Sequence, residues 1–182
     1  MFRTRFFSLF SRVALVACLL HGAPMASAQN GDPMSVLKRD VGTWDCELKF
    51  YPDPNGQPVV SKAVESNYMV GNLWVVGDFR GEMAGTSFHG SSQMGYDAKR
   101  KKYIGSWIDS ASPYPTSMEG SYDATAKALT VVGVGKDPNG AETKMKLVTT
   151  YKDEDNRTMT MYLGGAGNEW MRMMEVDYRR KK

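Results

Sequence analysis

Three side chains able to carry acid–base or nucleophilic chemistry, His89, Asp109 and Ser110, fall in neighbouring segments, and carboxylates pair at Asp97 with Asp109 and at Asp153 with Asp155. A hydrolase built on them would need the histidine to take the serine proton and an acid to orient the histidine. The sequence around them supplies no such context. It has no strand-turn-helix nucleophile elbow, no glycine-rich phosphate loop ahead of a helix and no metal-ligand spacing. The acidic residues sit in turn-forming runs, the usual chemistry of hairpin ends. No catalytic residue is assigned, and the chain is not expected to be an enzyme.

His89 lies in Ser87-Phe88-His89-Gly90-Ser91-Ser92-Gln93. Alternation puts it on one face with Ser87, Ser91 and Gln93, outward if Phe88 and Met94 point in. The other histidine, His21, lies in an N-terminal leader, so a histidine-rich metal site is excluded, although carboxylate and Cys ligands are not, and neither metal nor cofactor is expected. Arg172 is the unusual charge. If Glu169, Glu175 and Asp177 face water, then Trp170, Arg172, Met174, Val176 and Tyr178 face inward, and a charge among apolar groups needs a partner. Glu65 or Asp78 could form an ion pair with it, a bound carboxylate could use it as an anchor, or a bulge could turn it outward.

The elements that would position these residues are strands. Trp44, Cys46, Leu48 and Phe50 alternate with Asp45, Glu47 and Lys49, the pattern of a half-buried strand. Similar runs follow to the C-terminus, separated by turn signals. Asp53-Pro54-Asn55-Gly56 and Asp137-Pro138-Asn139-Gly140 repeat one tetrapeptide that suits hairpin tips, and Tyr96-Asp97-Ala98 is echoed by Tyr122-Asp123-Ala124. Gly71-Asn72 and the Gly81 to Gly85 stretch add breaks. About ten strands at this spacing predict an all-β, antiparallel up-and-down barrel. Only Pro33 to Val41 reads as helix, capped by Asp32 and lying across one mouth.

The interior phase of the later strands is rich in methionine. Met145, Leu147, Met159, Met161, Leu163 and Met174 fall on it, and a methionine-lined cavity suits a hydrophobic guest of variable shape, although the same residues also fill ordinary cores. With Trp74, Trp107, Arg172 and Tyr178 they form the candidate ligand-binding set. Outward Met171 and Met173 on the last strand could seed a two-fold homodimer.

Residues 1–28 read as a secretory signal peptide: Arg3, Arg5 and Arg12 precede the apolar Val13 to Leu20, and Ala26-Ser27-Ala28 offers a cleavage site. Residues 29–182 then form one domain, exported to a periplasmic or extracellular space. Leu15-Val16-Ala17-Cys18 also has the form of a lipoprotein box, which would instead tether the chain through Cys18. Removing the leader's three arginines from 23 basic residues leaves as many as the 20 acidic ones, so nucleic acid is not expected as a partner. Cys46 is then alone and falls on the apolar side of its strand, which rules out an intramolecular disulfide and suggests a buried thiol. The basic run Lys99 to Lys102 looks like a solvated hairpin, and Arg179 to Lys182 like the frayed end of the last strand.

Gly42-Thr43-Trp44, Gly95-Tyr96-Asp97, Trp107-Ile108-Asp109-Ser110, Glu119-Gly120-Ser121-Tyr122-Asp123 and the terminal Tyr178-Arg179 form an ordered set. It resembles the bacterial family known as domain of unknown function 1579, and Gly42-Thr43-Trp44 after a short helix resembles the start of calycin barrels, the lipocalins and fatty-acid-binding proteins. The resemblance implies a calycin-like barrel and carries no activity over. It also implies that Trp44 closes the barrel floor under an arginine of the last strand, at Arg179 or Arg180, with Arg179 taken as the floor residue. Fatty-acid-binding proteins use Arg and Tyr of their last strands on a carboxylate, which would suit Arg172 and Tyr178. Haem barrels would require a histidine near the C-terminal strands, where this chain has Met171, Met173 and Met174. The expectation is a carrier of a small hydrophobic or amphipathic molecule; the alternative is a structural or protein-interaction module with a filled core.

Overall fold

The computed structural model describes residues 31–83, 85–164 and 169–182 of the 182-residue chain. The proposed signal peptide and Cys18 lie outside the described residues. Ten strands alternate with short connections: β1 Gly42–Phe50, β2 Val59–Val70, β3 Trp74–Met83, β4 Thr86–Asp97, β5 Lys102–Asp109, β6 Ser112–Asp123, β7 Ala128–Lys136, β8 Glu142–Tyr151, β9 Asn156–Gly164 and β10 Trp170–Arg180. Each pairs antiparallel with its neighbour in the chain, and β10 pairs with β1 from Trp44 opposite Arg180 to Phe50 opposite Met174. The result is a closed up-and-down barrel, and closure removes the edges that an open sheet would expose.

The turns form where their side chains can hold them. Asp53 and Asp137 each accept the backbone N–H two residues on, at 3.0 and 2.9 Å, and their carbonyls accept from Gly56 and Gly140, so both repeated tetrapeptides are hairpin connections. Gly140 takes φ +88°, a conformation that favours glycine. Asp97 caps the Lys99–Arg100 turn in the same way. The break expected within Gly81 to Gly85 falls at its end, where Gly85 takes φ +80° between β3 and β4; Gly81 itself lies within β3 and packs directly against Ala63, leaving no room for a side chain.

Helix α1 (Met34–Lys38) is shorter than Pro33 to Val41, and the Asp32 carboxylate accepts the Met34 N–H at 3.0 Å. Met34, Val36 and Leu37 bury their side chains against Val75, Tyr103, Leu129, Val131 and Tyr151, closing the end of the barrel that carries the β2–β3, β4–β5, β6–β7 and β8–β9 turns. Tyr103 fixes the helix by donating to the Pro33 carbonyl at 2.9 Å. A second cluster, Trp44, Cys46, Leu48, Ala63, Phe79, Val176 and Tyr178, fills the interior beside β1 and β10. Each fully buried Leu or Val contributes about 1.5–3 kcal/mol, so the stability of the fold rests on the capped end and this seam.

Candidate functional site: the barrel interior

The inner face can be followed strand by strand from the register. On β8 and β9, Met145 lies opposite Leu163, Leu147 opposite Met161 and Thr149 opposite Met159; on β9 and β10, Met159 lies opposite Val176 and Met161 opposite Met174. Trp107, paired with Thr116 on β6, stacks on Phe88 at 6.4 Å between ring centres and donates its indole N–H to Asp109 at 2.7 Å. Gly90 lies against this indole and could not carry a side chain without displacing it. Trp107, Met145, Met159, Met161, Met174 and Tyr178 therefore share the interior. Towards the helix this interior is closed over the buried Val75, Tyr103, Leu129, Val131 and Tyr151, whereas Phe88, Trp107, Met145, Met159, Met161, Leu163 and Met174 are all only partly buried although they point inward. The inward side chains of β8 and β9 in the half of the barrel away from α1 are thus the less completely covered ones, beside the buried cluster on β1 and β10.

Arg172 is not among these residues. A bulge between Arg172 and Met174 shifts the pairing so that Arg172 opposes Tyr162 and Trp170 opposes Gly164, both on the outer phase of β9. Arg172 stacks over the Tyr51 ring at 3.9 Å, and Lys146 lies over the rings of Tyr162 and Trp170 at 4.7 and 4.9 Å. The inward placement of Trp170 and Arg172 is thus corrected, and the expected methionine pair does not form one outer stripe: Met171 is exposed but opposes inner-phase Leu163, and Met173 is the bulge residue. Trp74 is also outside. Val75 and Phe79 take the inner phase of β3, leaving Trp74 in an outer groove of about 410 Å³ with Ile104, Val132 and Val134.

The inward arginine is Arg157, which alternation on β9 places with Met159 and Met161. Its guanidinium lies over Trp44 and Tyr178, at 4.7 and 4.2 Å from their ring centres, and binds the Asp40 carboxylate and Glu65 Oε1, the latter at 2.6 Å. Burial alone would weaken its hold on a proton, but Asp40 and Glu65 outweigh burial and raise its pKa. Burial lifts the Asp40 carboxyl above its usual range despite Arg157, and lifts the phenols of Tyr151 and Tyr178. Tyr151 donates to Asp40 at 3.2 Å, Asn67 donates to Glu65 at 2.6 Å and to the Asp40 carbonyl at 2.9 Å, and the Trp44 indole donates to that carbonyl at 2.8 Å. Cys46 sits beside this network, its thiol pushed up to about 12, chiefly by burial.

Trp44 is covered from the last strand by Arg180 rather than Arg179. Arg180 stands 4.1 Å over the indole and donates to the carbonyls of Val41, Arg39 and Glu154, whereas Arg179 is exposed opposite Asp45. The strand end is clamped, not frayed. One residue decides this, since Arg180 shares the register position of Trp44.

The acid–base candidates do not converge. The exposed His89 ring meets Asp78 at 2.8 Å, and Asp78 also accepts from Arg80 at 2.6 Å; those two hydrogen bonds, Arg80 first, hold the Asp78 carboxyl below its usual range. Ser110 accepts the His89 backbone N–H at 3.1 Å, and Asp109 is spent on Trp107 and on its own turn. Among the described residues no group of three or more His, Cys, Asp or Glu is placed to hold a metal. No helix among them is long and apolar enough to cross a membrane.

Two solved structures share the architecture. Rv2717c from M. tuberculosis matches with TM-score 0.59 at 12% identity over 83% of this chain and 99% of its own. The S-type phycobiliprotein lyase CPES from Guillardia theta matches with TM-score 0.58 at 11% identity over 84% of this chain and 94% of its own. At such identities the likeness is one of fold. No curated protein matches the chain. The family expected from Gly42-Thr43-Trp44 and its companions is found across the whole barrel: residues 29–180 match the family described as "Protein of unknown function (DUF1579)", and the chain belongs to it.

Proposed function

We propose that the protein is an exported, non-catalytic carrier that holds the apolar body of a small hydrophobic or amphipathic molecule in the half of the barrel remote from α1. One observation carries this reading: the inward residues there, Met145, Met159, Met161, Leu163 and Met174 with Phe88 and Trp107, are all only partly buried, whereas the layer under the helix contains the buried Val75, Tyr103, Leu129, Val131 and Tyr151 among its partly buried neighbours. Space lined by methionine and aromatic rings adapts to apolar guests. The similar barrel of a protein named as a phycobiliprotein lyase supports a small-molecule role.

The interior charge limits the guest. Arg157 already binds two carboxylates, so it offers no uncompensated cation to an acidic head group, and Arg172 is outside. An acid buried at depth would meet a negative surplus, which favours a neutral guest or one whose polar head stays at the mouth. Native mass spectrometry of protein from its exported fraction, followed by organic extraction, tests this. A released apolar molecule supports the carrier. A bare mass, with no shift on adding neutral lipids and long-chain alcohols, overturns it in favour of a protein-interaction module, for which the exposed outer side chains Tyr68, Val70, Leu73, Val132 and Val134 are the supporting observation.

A further inference from the structure

The bulge at Met173 gathers cations and rings on the outer wall beside the mouth. On this wall β8 contributes Lys144 and Lys146, β9 Tyr162 and Gly164, and β10 Trp170 and Arg172. Lys146 is held over two rings, Arg172 over Tyr51, and Gly164 leaves a gap between Lys144 and Trp170, the atoms of which lie 3.3 and 3.5 Å from where a β-carbon would be. Among the described residues none of the three cations has a carboxylate partner, and the nearby Glu175 is held by Lys49 at 3.2 Å. Glu142 and Glu169 flank the cluster, leaving it net positive. Met171, between Trp170 and Arg172 in the chain but on the opposite phase, is apolar and 47% exposed at the mouth that this wall borders.

We infer that Lys144, Lys146, Tyr162, Trp170 and Arg172 form a docking face for the head groups of an anionic phospholipid bilayer, which brings the barrel mouth to the surface from which an apolar guest is loaded. This rests on the carrier reading. Cations seated on aromatic rings keep their charge available to anions, and Trp and Tyr favour the boundary between head groups and acyl chains. The rest of the chain argues against nucleic acid as the anion. Acidic and basic residues balance outside the leader, so there is no extended basic field to track a phosphate backbone. An exposed methionine at the mouth that the cations border suits a surface with an apolar layer beneath its charges.

The test is flotation of the purified protein with vesicles of phosphatidylcholine alone and with about 30% phosphatidylglycerol, each cation being worth roughly a fivefold change in partition. The expected result is binding to the anionic vesicles only, weakened by salt, lowered at least about tenfold in K144Q/K146Q/R172Q and raised in E142Q/E169Q. The exposed Lys62→Gln on β2 should change nothing. Absence of binding to anionic vesicles, or equal binding by the triple variant with its circular dichroism unchanged, overturns the proposal. So does a triple variant that loses binding to a single-stranded oligonucleotide while flotation is unaltered, which would make the face a nucleic-acid site. Uptake of an apolar fluorescent probe by the same variants separates the two readings: retained uptake with lost flotation supports docking, failed flotation with normal uptake by the natural chain sinks docking alone, and failed uptake by the natural chain sinks the carrier.

Discussion

Arg157 and Glu65, 92 positions apart in the chain, meet at 2.6 Å beneath the indole of Trp44. The contact joins β9 to β2 across the barrel end and, through Asp40, ties both to the segment that links α1 to β1. Asp40 is the hub, since its carboxylate meets Arg157 and Tyr151 while its carbonyl meets Trp44 and Asn67.

Replacing Arg157 with Met keeps the bulk over Trp44 and leaves two carboxylates buried without a cation. The expected loss is about 3–5 kcal/mol at neutral pH, read from urea unfolding. The sign of its pH dependence follows from Asp40, whose folded pKa lies above its ordinary value even with Arg157 present. The folded state then holds the proton more tightly than the unfolded one, so stability falls as pH rises from the unfolded pKa through the folded one. Without Arg157 that window widens upward, so the deficit of the variant should shrink in mildly acidic buffer. A deficit independent of pH would show that Arg157 acts through packing alone.

Arg180→Ala removes the cover of Trp44 and three donations to carbonyls, and should cost about 1–3 kcal/mol by thermal unfolding. Arg179→Ala, one residue away and exposed, should stay within about 0.5 kcal/mol. Equal effects would contradict the register of β1 and β10.

How much of this was legible in the sequence depends on whether alternation was interrupted. Trp44 to Phe50 alternates cleanly, and the inward set Trp44, Cys46 and Leu48 is found buried. The turns were legible because Asp, Asn and Gly state their own geometry. Of the placements open to Arg172, the bulge is the one found, and simple alternation missed it because a bulge has no pattern in sequence: one extra residue at Met173 reverses the phase of everything before it in the strand. The expected inward arginine exists, and Glu65 is its partner, but the arginine is Arg157. Its signal was the phase it shares with Met159 and Met161 in Asn156–Gly164. Asp40 was hidden because it stands outside any strand, where periodicity says nothing.

Cys46 should be inert in the folded protein. The residue is 4% exposed and its thiol is pushed up to about 12, so almost no thiolate exists at neutral pH. Iodoacetamide with peptide mapping should find Cys46 unmodified in buffer and fully alkylated in denaturant. Rapid labelling of the native protein would mean that the β1 seam opens readily.

The lumen and the outer wall can be separated by a pair of substitutions. Met161→Trp adds bulk on the inner face between Leu147 and Met174, where the surrounding side chains are only partly buried, so it should fill guest space with a stability change of about 1 kcal/mol or less. Affinity for an apolar fluorescent probe should fall at least about tenfold if that space is the binding site, because a guest that loses van der Waals contacts over one side loses them outright. Arg172→Ala should leave probe affinity unchanged, because the bulge has turned the guanidinium to the wall where it covers Tyr51. Fluorescence titration of both variants distinguishes the sites. Loss of affinity in Arg172→Ala with retention in Met161→Trp would put the guest on the outer face and overturn the lumen as its site.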